Sequence, residues 1–194
     1  GRGGTRGRAP ALAAVVVRDR DIYRCLRGQR PMHLGAPSSR ARLLLLRHGS
    51  TSWSAAHRFT GLSDIPLDEA GHAQANDAAA VLSTLRPRTV LSSDLKRAVQ
   101  TAEYVAQKSN ASLVTYTALR EEQLGPWEGF TIEEVSLRFP DAVARWRAGT
   151  VEAHDGREGL LAVGRRAAPV VFAALAEPSD TSRPVVVVTH SNTA

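Results

Sequence analysis

The sequence predicts a three-layer α/β/α sandwich with a mostly parallel central sheet. Two observations carry that prediction. From residue 42 onward, short apolar runs alternate with longer stretches of helical pattern. Such alternation is the mark of a parallel sheet covered by helices. Two of the runs, "LLLL" at 43–46 and "VVVV" at 185–188, are apolar without interruption, as strands buried on both faces must be.

Each element has its own local reason. "LLLL" is the first buried strand. "EAGHAQANDAAAVLSTL" (69–85) reads as an alanine-rich helix stopped by Pro87, and "TVLSS" (89–93) as a short strand. "DLKRAVQTAEYVAQKS" (94–109) is a helix for which Asp94 is the expected N-cap. "SLVTY" (112–116) is a third strand. Thr131 and Glu134 stand in capping-box spacing at the start of "TIEEVSLRF" (131–139). A short helix, "DAVARWRAG", follows Pro140. Residues 159–176 are helical, with Pro169 expected to kink or divide them. "PVVVVTH" (184–190) is the last strand.

A chain of 194 residues suits one domain with a real core. The net charge of +6 is unevenly placed: residues 1–47 carry 11 arginines and two aspartates, whereas the remainder is slightly acidic. We read 1–40 as a basic, partly disordered extension or linker and 41–194 as the folded domain. The run "ALAAVVV" (11–17) is closed by Arg18, Asp19, Arg20 and Asp21 and has no cleavage signature, so no signal peptide is assigned. No apolar run approaches the ~20 residues of a membrane span, and no membrane partner is expected. The single cysteine, Cys25, excludes an internal disulfide framework and favours a cytoplasmic setting.

Both of the most apolar strands are followed closely by a histidine, His48 and His190, and Arg97 sits just inside a helix after a strand. In open α/β sheets ligands bind beyond the carboxyl ends of the strands. One rim would therefore gather Arg47, His48, Arg97 and His190. Guanidinium groups match phosphate geometry, and a histidine among them can attack phosphorus. A metal site is the competing account. Flanking arginines would repel a divalent cation, and no clustered Cys or carboxylate joins the histidines.

At these residues the sequence resembles the histidine phosphatases, the branch that includes phosphoglycerate mutases and alpha-ribazole phosphatases. "LLLLRHGSTSW", "HRFTGLSDIPLDEAGHAQA", "VLSSDLKRAVQTAEYV", "ALREEQLGPWEGFTIEEV" and "VVVVTHSNTA" look like five family blocks in order, covering about residues 42–194. The resemblance implies that His48 becomes phosphorylated and that Arg47, Arg97 and His190 hold the phosphoryl group. It implies substrate or phosphate contacts at Thr51, Thr60 and Ser191. Glu121 aligns with the proton donor, with Glu122 as its rival should the register slip. The resemblance implies that no metal or organic cofactor is required, and none is expected. The expected partner is a small phosphorylated metabolite.

Departures from the pattern shape the expectation. Ser54 stands where many members have asparagine, and Ser191 where glycine commonly follows the last histidine. The family's C-terminal helix and strand would lie beyond Ala194, so we expect either a domain lacking them or a homodimer or fused partner that covers the last strand. Mutases carry a longer substrate-covering insertion, whereas only 24 positions separate Arg97 from Glu121. The favoured reaction is thus phosphomonoester hydrolysis. The alternatives are mutase-type phosphoryl transfer and a catalytically inactive phosphate-binding module. A nucleic-acid role for the N-terminal arginines is weighed and set aside, since no recognisable module accompanies them.

Overall fold

The computed structural model describes residues 14–18, 21–24, 43–149, 155–176 and 183–193. Cys25, His33, His154 and most of the basic segment 1–40 lie outside them. Four parallel strands form the heart of the sheet: β3 (Leu43–Arg47), β6 (Val185–Thr189), β4 (Thr89–Ser93) and β5 (Ser112–Tyr116), side by side in that order. Two short strands from the N-terminal segment, β1 (Ala14–Arg18) and β2 (Asp21–Arg24), extend the sheet antiparallel beyond β3. The sequence reading assigned no strand there.

The period of two along the strands sorts their side chains into two layers. Leu44, Leu46, Val90, Val186 and Val188 face a core shared with α2 (Glu69–Ser83) and α3 (Lys96–Ser109). Leu43, Leu45, Leu91, Val185 and Val187 face α6 (Leu160–Ala176) on the other side. All five β6 residues are buried, and each of the four valine side chains contributes ~1.5–3 kcal/mol of burial. A third cluster, built on Trp127 and Val135 with Phe59 and Phe130 packed against it, belongs to α4 (Ile132–Arg138) and α5 (Pro140–Arg147). The expected capping box of Thr131 and Glu134 opens α4.

One local expectation is corrected and another is narrowed. Asp94 does not cap α3: the N-cap is Leu95, without a side-chain hydrogen bond. The Asp94 carboxylate instead accepts both arms of the Arg120 fork, at 2.7 and 2.6 Å, and Asp64 accepts the Lys96 N–H at 2.7 Å in its place. Helix α6 is not divided at Pro169. Ala167 before the proline and Val170, Val171, Ala174 and Leu175 after it pack on the same sheet face, which outweighs the hydrogen bond that proline removes. A further short helix, α1 (Ser52–Ala55), follows the loop after β3.

Candidate active site

The register of β3 against β6 decides what meets beyond the sheet. Arg47 pairs with Thr189, so the next residues, His48 and His190, emerge side by side, and the His48 N–H donates to the Thr189 carbonyl at 3.0 Å. Their ring centroids are 5.1 Å apart. Nδ1 of His48 lies 2.7 Å from the Gly49 carbonyl oxygen. A carbonyl only accepts, so Nδ1 carries the proton and Nε2 keeps its lone pair. Arg97 Nε donates to that Nε2 at 3.2 Å. Burial, then the Arg97 charge, lower the His48 pKa to about 3, outweighing the Gly49 carbonyl, with Arg47 adding to the fall. The ring is neutral at physiological pH.

Glycines let α2 approach this loop. A Cβ on Gly71 would collide with the Ser50 carbonyl oxygen. Asp68 caps α2 by accepting the Gly71 N–H at 2.7 Å and also accepts the Ser50 hydroxyl at 2.8 Å, binding helix start to loop.

Arg97, in the first turn of α3, is fully buried. Nη1 donates to the Ser63 carbonyl at 2.7 Å and Nη2 to the Gly61 carbonyl at 2.8 Å. Among the described residues no carboxylate forms an ion pair with it. Burial lowers its pKa to about 10, which leaves it cationic at neutral pH. Glu128 holds the loop that supplies those carbonyls, accepting the Leu62 N–H, the Ser63 N–H and the Ser63 hydroxyl at 3.0, 3.0 and 2.7 Å.

His190 is also fully buried, and neither ring nitrogen has a hydrogen-bond partner among the described residues. Burial first, then the charges of His48, Arg97 and Arg47, hold its pKa well below 6.5. Arg47 is partly exposed at the last position of β3, and its charge reaches His48, Arg97, Glu121 and His190.

The two glutamates differ sharply. Glu121 Oε1 accepts the backbone N–H groups of Glu122 and Asn192 at 2.9 and 3.1 Å. Desolvation outweighs those bonds and the nearby arginines, and raises its pKa above 4.5. Glu122 is ion-paired with buried Arg157 at 2.6 Å, and its other oxygen accepts Asn192 Nδ2 at 2.9 Å.

Three further expected residues make local contacts or face solvent. Thr51, fully buried, is the N-cap of α1, its hydroxyl oxygen accepting the Ser54 N–H at 3.1 Å while Ser54 Oγ accepts the Thr51 N–H at 2.8 Å. Thr60 directs its hydroxyl at the Arg58 carbonyl, 3.5 Å away. Ser191 is exposed in a turn. The structure therefore gathers His48, Arg97, His190 and Glu121, with Arg47 beside them. Sequence reasoning missed Asn192 and the carbonyls of Gly49, Gly61 and Ser63. Main-chain groups leave no residue-type signal, and only its place two residues past His190 pointed to Asn192. Among the described residues no group of three or more His, Cys, Asp or Glu is arranged to hold a metal ion.

Comparisons with known proteins identify the family. The family model of the Histidine phosphatase superfamily (branch 1) matches residues 43–194. Glucosyl-3-phosphoglycerate phosphatase of Mycolicibacterium vanbaalenii is 38% identical over 154 residues, covering 77% of this chain and 68% of that protein. Phosphoserine phosphatase 1 of Hydrogenobacter thermophilus is 32% identical over 154 residues, covering 77% and 71%. A solved structure of mycobacterial glucosyl-3-phosphoglycerate phosphatase complexed with VO3 superimposes with a TM-score of 0.72 at 36% identity, covering 77% of this chain and 74% of that one. The chain belongs to the histidine phosphatase superfamily, branch 1, and is a phosphatase of that type.

Proposed function

We propose that the protein hydrolyses a small phosphomonoester through a phosphohistidine at His48. The observation that carries this reading is the pairing of a neutral His48, its Nε2 lone pair fixed by the Nδ1–Gly49 bond, with a buried Arg97 that forms no ion pair with a carboxylate among the described residues. A buried guanidinium without a counter-ion is a strong attractor for an anion. In the first step Nε2 bonds to phosphorus as the ester P–O bond breaks. The leaving alkoxide takes the proton of Glu121. In the second step Glu121, now a carboxylate, accepts a proton from water as its oxygen attacks phosphorus, and the N–P bond breaks to release inorganic phosphate. Arg97, Arg47 and His190 stabilise the charge on the equatorial oxygens. A raised Glu121 pKa supports the acid role, and the engagement of both Glu122 oxygens argues against Glu122 in that role.

Similarity to the glucosyl-3-phosphoglycerate phosphatases puts phosphorylated glycerate derivatives first among substrates to test, followed by phosphoserine and alpha-ribazole phosphate. We place the enzyme in the cytoplasm on its single cysteine. We also infer a homodimer, supported by Val114 and Tyr116 exposed on the edge strand β5. Light scattering tests it. Among the described residues no helix is long and apolar enough to cross a membrane.

The test is release of inorganic phosphate from that panel in EDTA, with His48→Ala alongside. Turnover that survives EDTA and disappears in His48→Ala is expected. Turnover that persists in His48→Ala overturns the phosphohistidine route, and an isomerised phosphoester without phosphate release would instead indicate a mutase.

A further inference from the structure

We propose that Arg166 is a positioning residue for the proton donor, an inference that rests on reading Glu121 as that donor. The segment 118–121 is held in an unusual way. Each of its four carbonyls accepts a hydrogen bond from a side chain. Arg166 Nη1 donates to the carbonyls of Ala118 and Arg120 at 2.7 and 2.8 Å, and Nη2 to that of Glu121 at 2.9 Å. Thr189 Oγ1 donates to the Leu119 carbonyl at 2.9 Å, and Thr193 Oγ1 adds a second bond to Arg120 at 2.8 Å.

Arg166 is itself oriented. It projects from α6, and Glu158 accepts its Nε at 2.7 Å and its Nη2 at 2.9 Å. Glu158 is in turn anchored to the same segment's continuation, its N–H donating to the Gln123 carbonyl at 2.9 Å. One planar fork thus joins helix, carboxylate and three carbonyls around the residue whose side chain moves the proton. A lysine keeps the charge but cannot reproduce this fork, because an ammonium is a point donor on a flexible stem. Loss of the fork frees the backbone that aims Glu121, while His48 and His190 at the strand ends and Arg97 on α3 keep their places.

The experiment measures kcat/KM for two substrates in the full chain. One is an alkyl phosphate, whose alkoxide needs a proton. The other is p-nitrophenyl phosphate, whose phenolate leaves without one. For Arg166→Lys we expect a loss of ~10–100-fold on the alkyl phosphate and under ~3-fold on p-nitrophenyl phosphate, the larger figure reflecting misplaced general acid catalysis. Arg166→Met should show the same bias. Equal losses on both substrates, or none, overturn the proposal. Should the Arg166 variants fail to fold, Glu158→Gln, which loosens the fork's anchor, decides: a smaller loss biased towards the alkyl phosphate supports the proposal, and an unbiased result overturns it. Glu121→Gln runs in parallel. If it shows the substrate bias and the Arg166 variants do not, only the positioning role falls. If Glu121→Gln shows no bias, the proton-donor reading fails and the Arg166 role falls with it.

Discussion

His48 and His190 stand at the ends of neighbouring parallel strands, and the backbone ladder of β3 and β6 runs up to them. Glu121 stands on a segment whose carbonyls are held by Arg166, Thr189 and Thr193 side chains instead. A nucleophile on a ladder depends on hydrogen bonds that any non-proline sequence can make. An acid held by side chains depends on particular residues. The difference teaches where the enzyme tolerates change: substitutions around the strand ends must break packing to matter, whereas single side chains near Glu121 can misplace it.

The contrast can be broken most completely at its centre. His48→Ala removes the phosphoryl acceptor and is expected to lower kcat by ~10⁴-fold or more for every substrate, read by phosphate release. Next is the acid side. Glu121→Gln should lower kcat/KM for alkyl phosphates by ~100–10,000-fold and spare p-nitrophenyl phosphate. With Glu121 as the proposed acid, it must be protonated in the first step in the wild type, and burial raises its pKa above 4.5. The alkyl-phosphate kcat/KM therefore falls as pH rises through that raised pKa, and a pH–rate profile without an alkaline limb would contradict the assignment. His48, neutral down to about pH 3, contributes no acid limb near 6.5.

A milder break sits under the nucleophile. Gly71→Ala puts a methyl group against the Ser50 carbonyl and should destabilise the fold by about 1–3 kcal/mol, seen as a lower Tm, with both substrates losing activity to the same degree. A bias towards one substrate would show that the two sides are not independently held. The last effect, which leaves both sides of the site in place at neutral pH, is in stability against pH. His48 and His190 are buried with lowered pKa values, so the unfolded chain binds protons that the native state refuses. Their stabilisation is complete above the ordinary histidine pKa and is lost as pH falls below it, for His48 from about 6.5 towards about 3 and for His190 in the same direction, at up to ~1.4 kcal/mol per pH unit per histidine. Thermal melts should show this decline, and His190→Asn should make it shallower.

Local chemistry by itself determined much of this protein. Uninterrupted apolar runs mark strands buried on both faces, alanine-rich stretches and the Thr131–Glu134 capping box mark helices, and strand-end histidines with arginines mark an anion site. Each of these signals lies within a few residues. Tertiary structure decided what depends on distant groups. Asp94 could cap α3 or pair with Arg120, and only the position of Arg120 and of Asp64 settles the choice. Glu121 and Glu122 are adjacent, chemically identical and both buried, yet one accepts hydrogen bonds from neutral groups such as the Asn192 backbone N–H and the other is locked to Arg157. The tautomer of His48 is set by a carbonyl at Gly49, and the aim of Arg97 by carbonyls at Gly61 and Ser63. Main-chain groups are the same in every residue, so where they converge is a property of the folded chain and cannot be spelled in side chains.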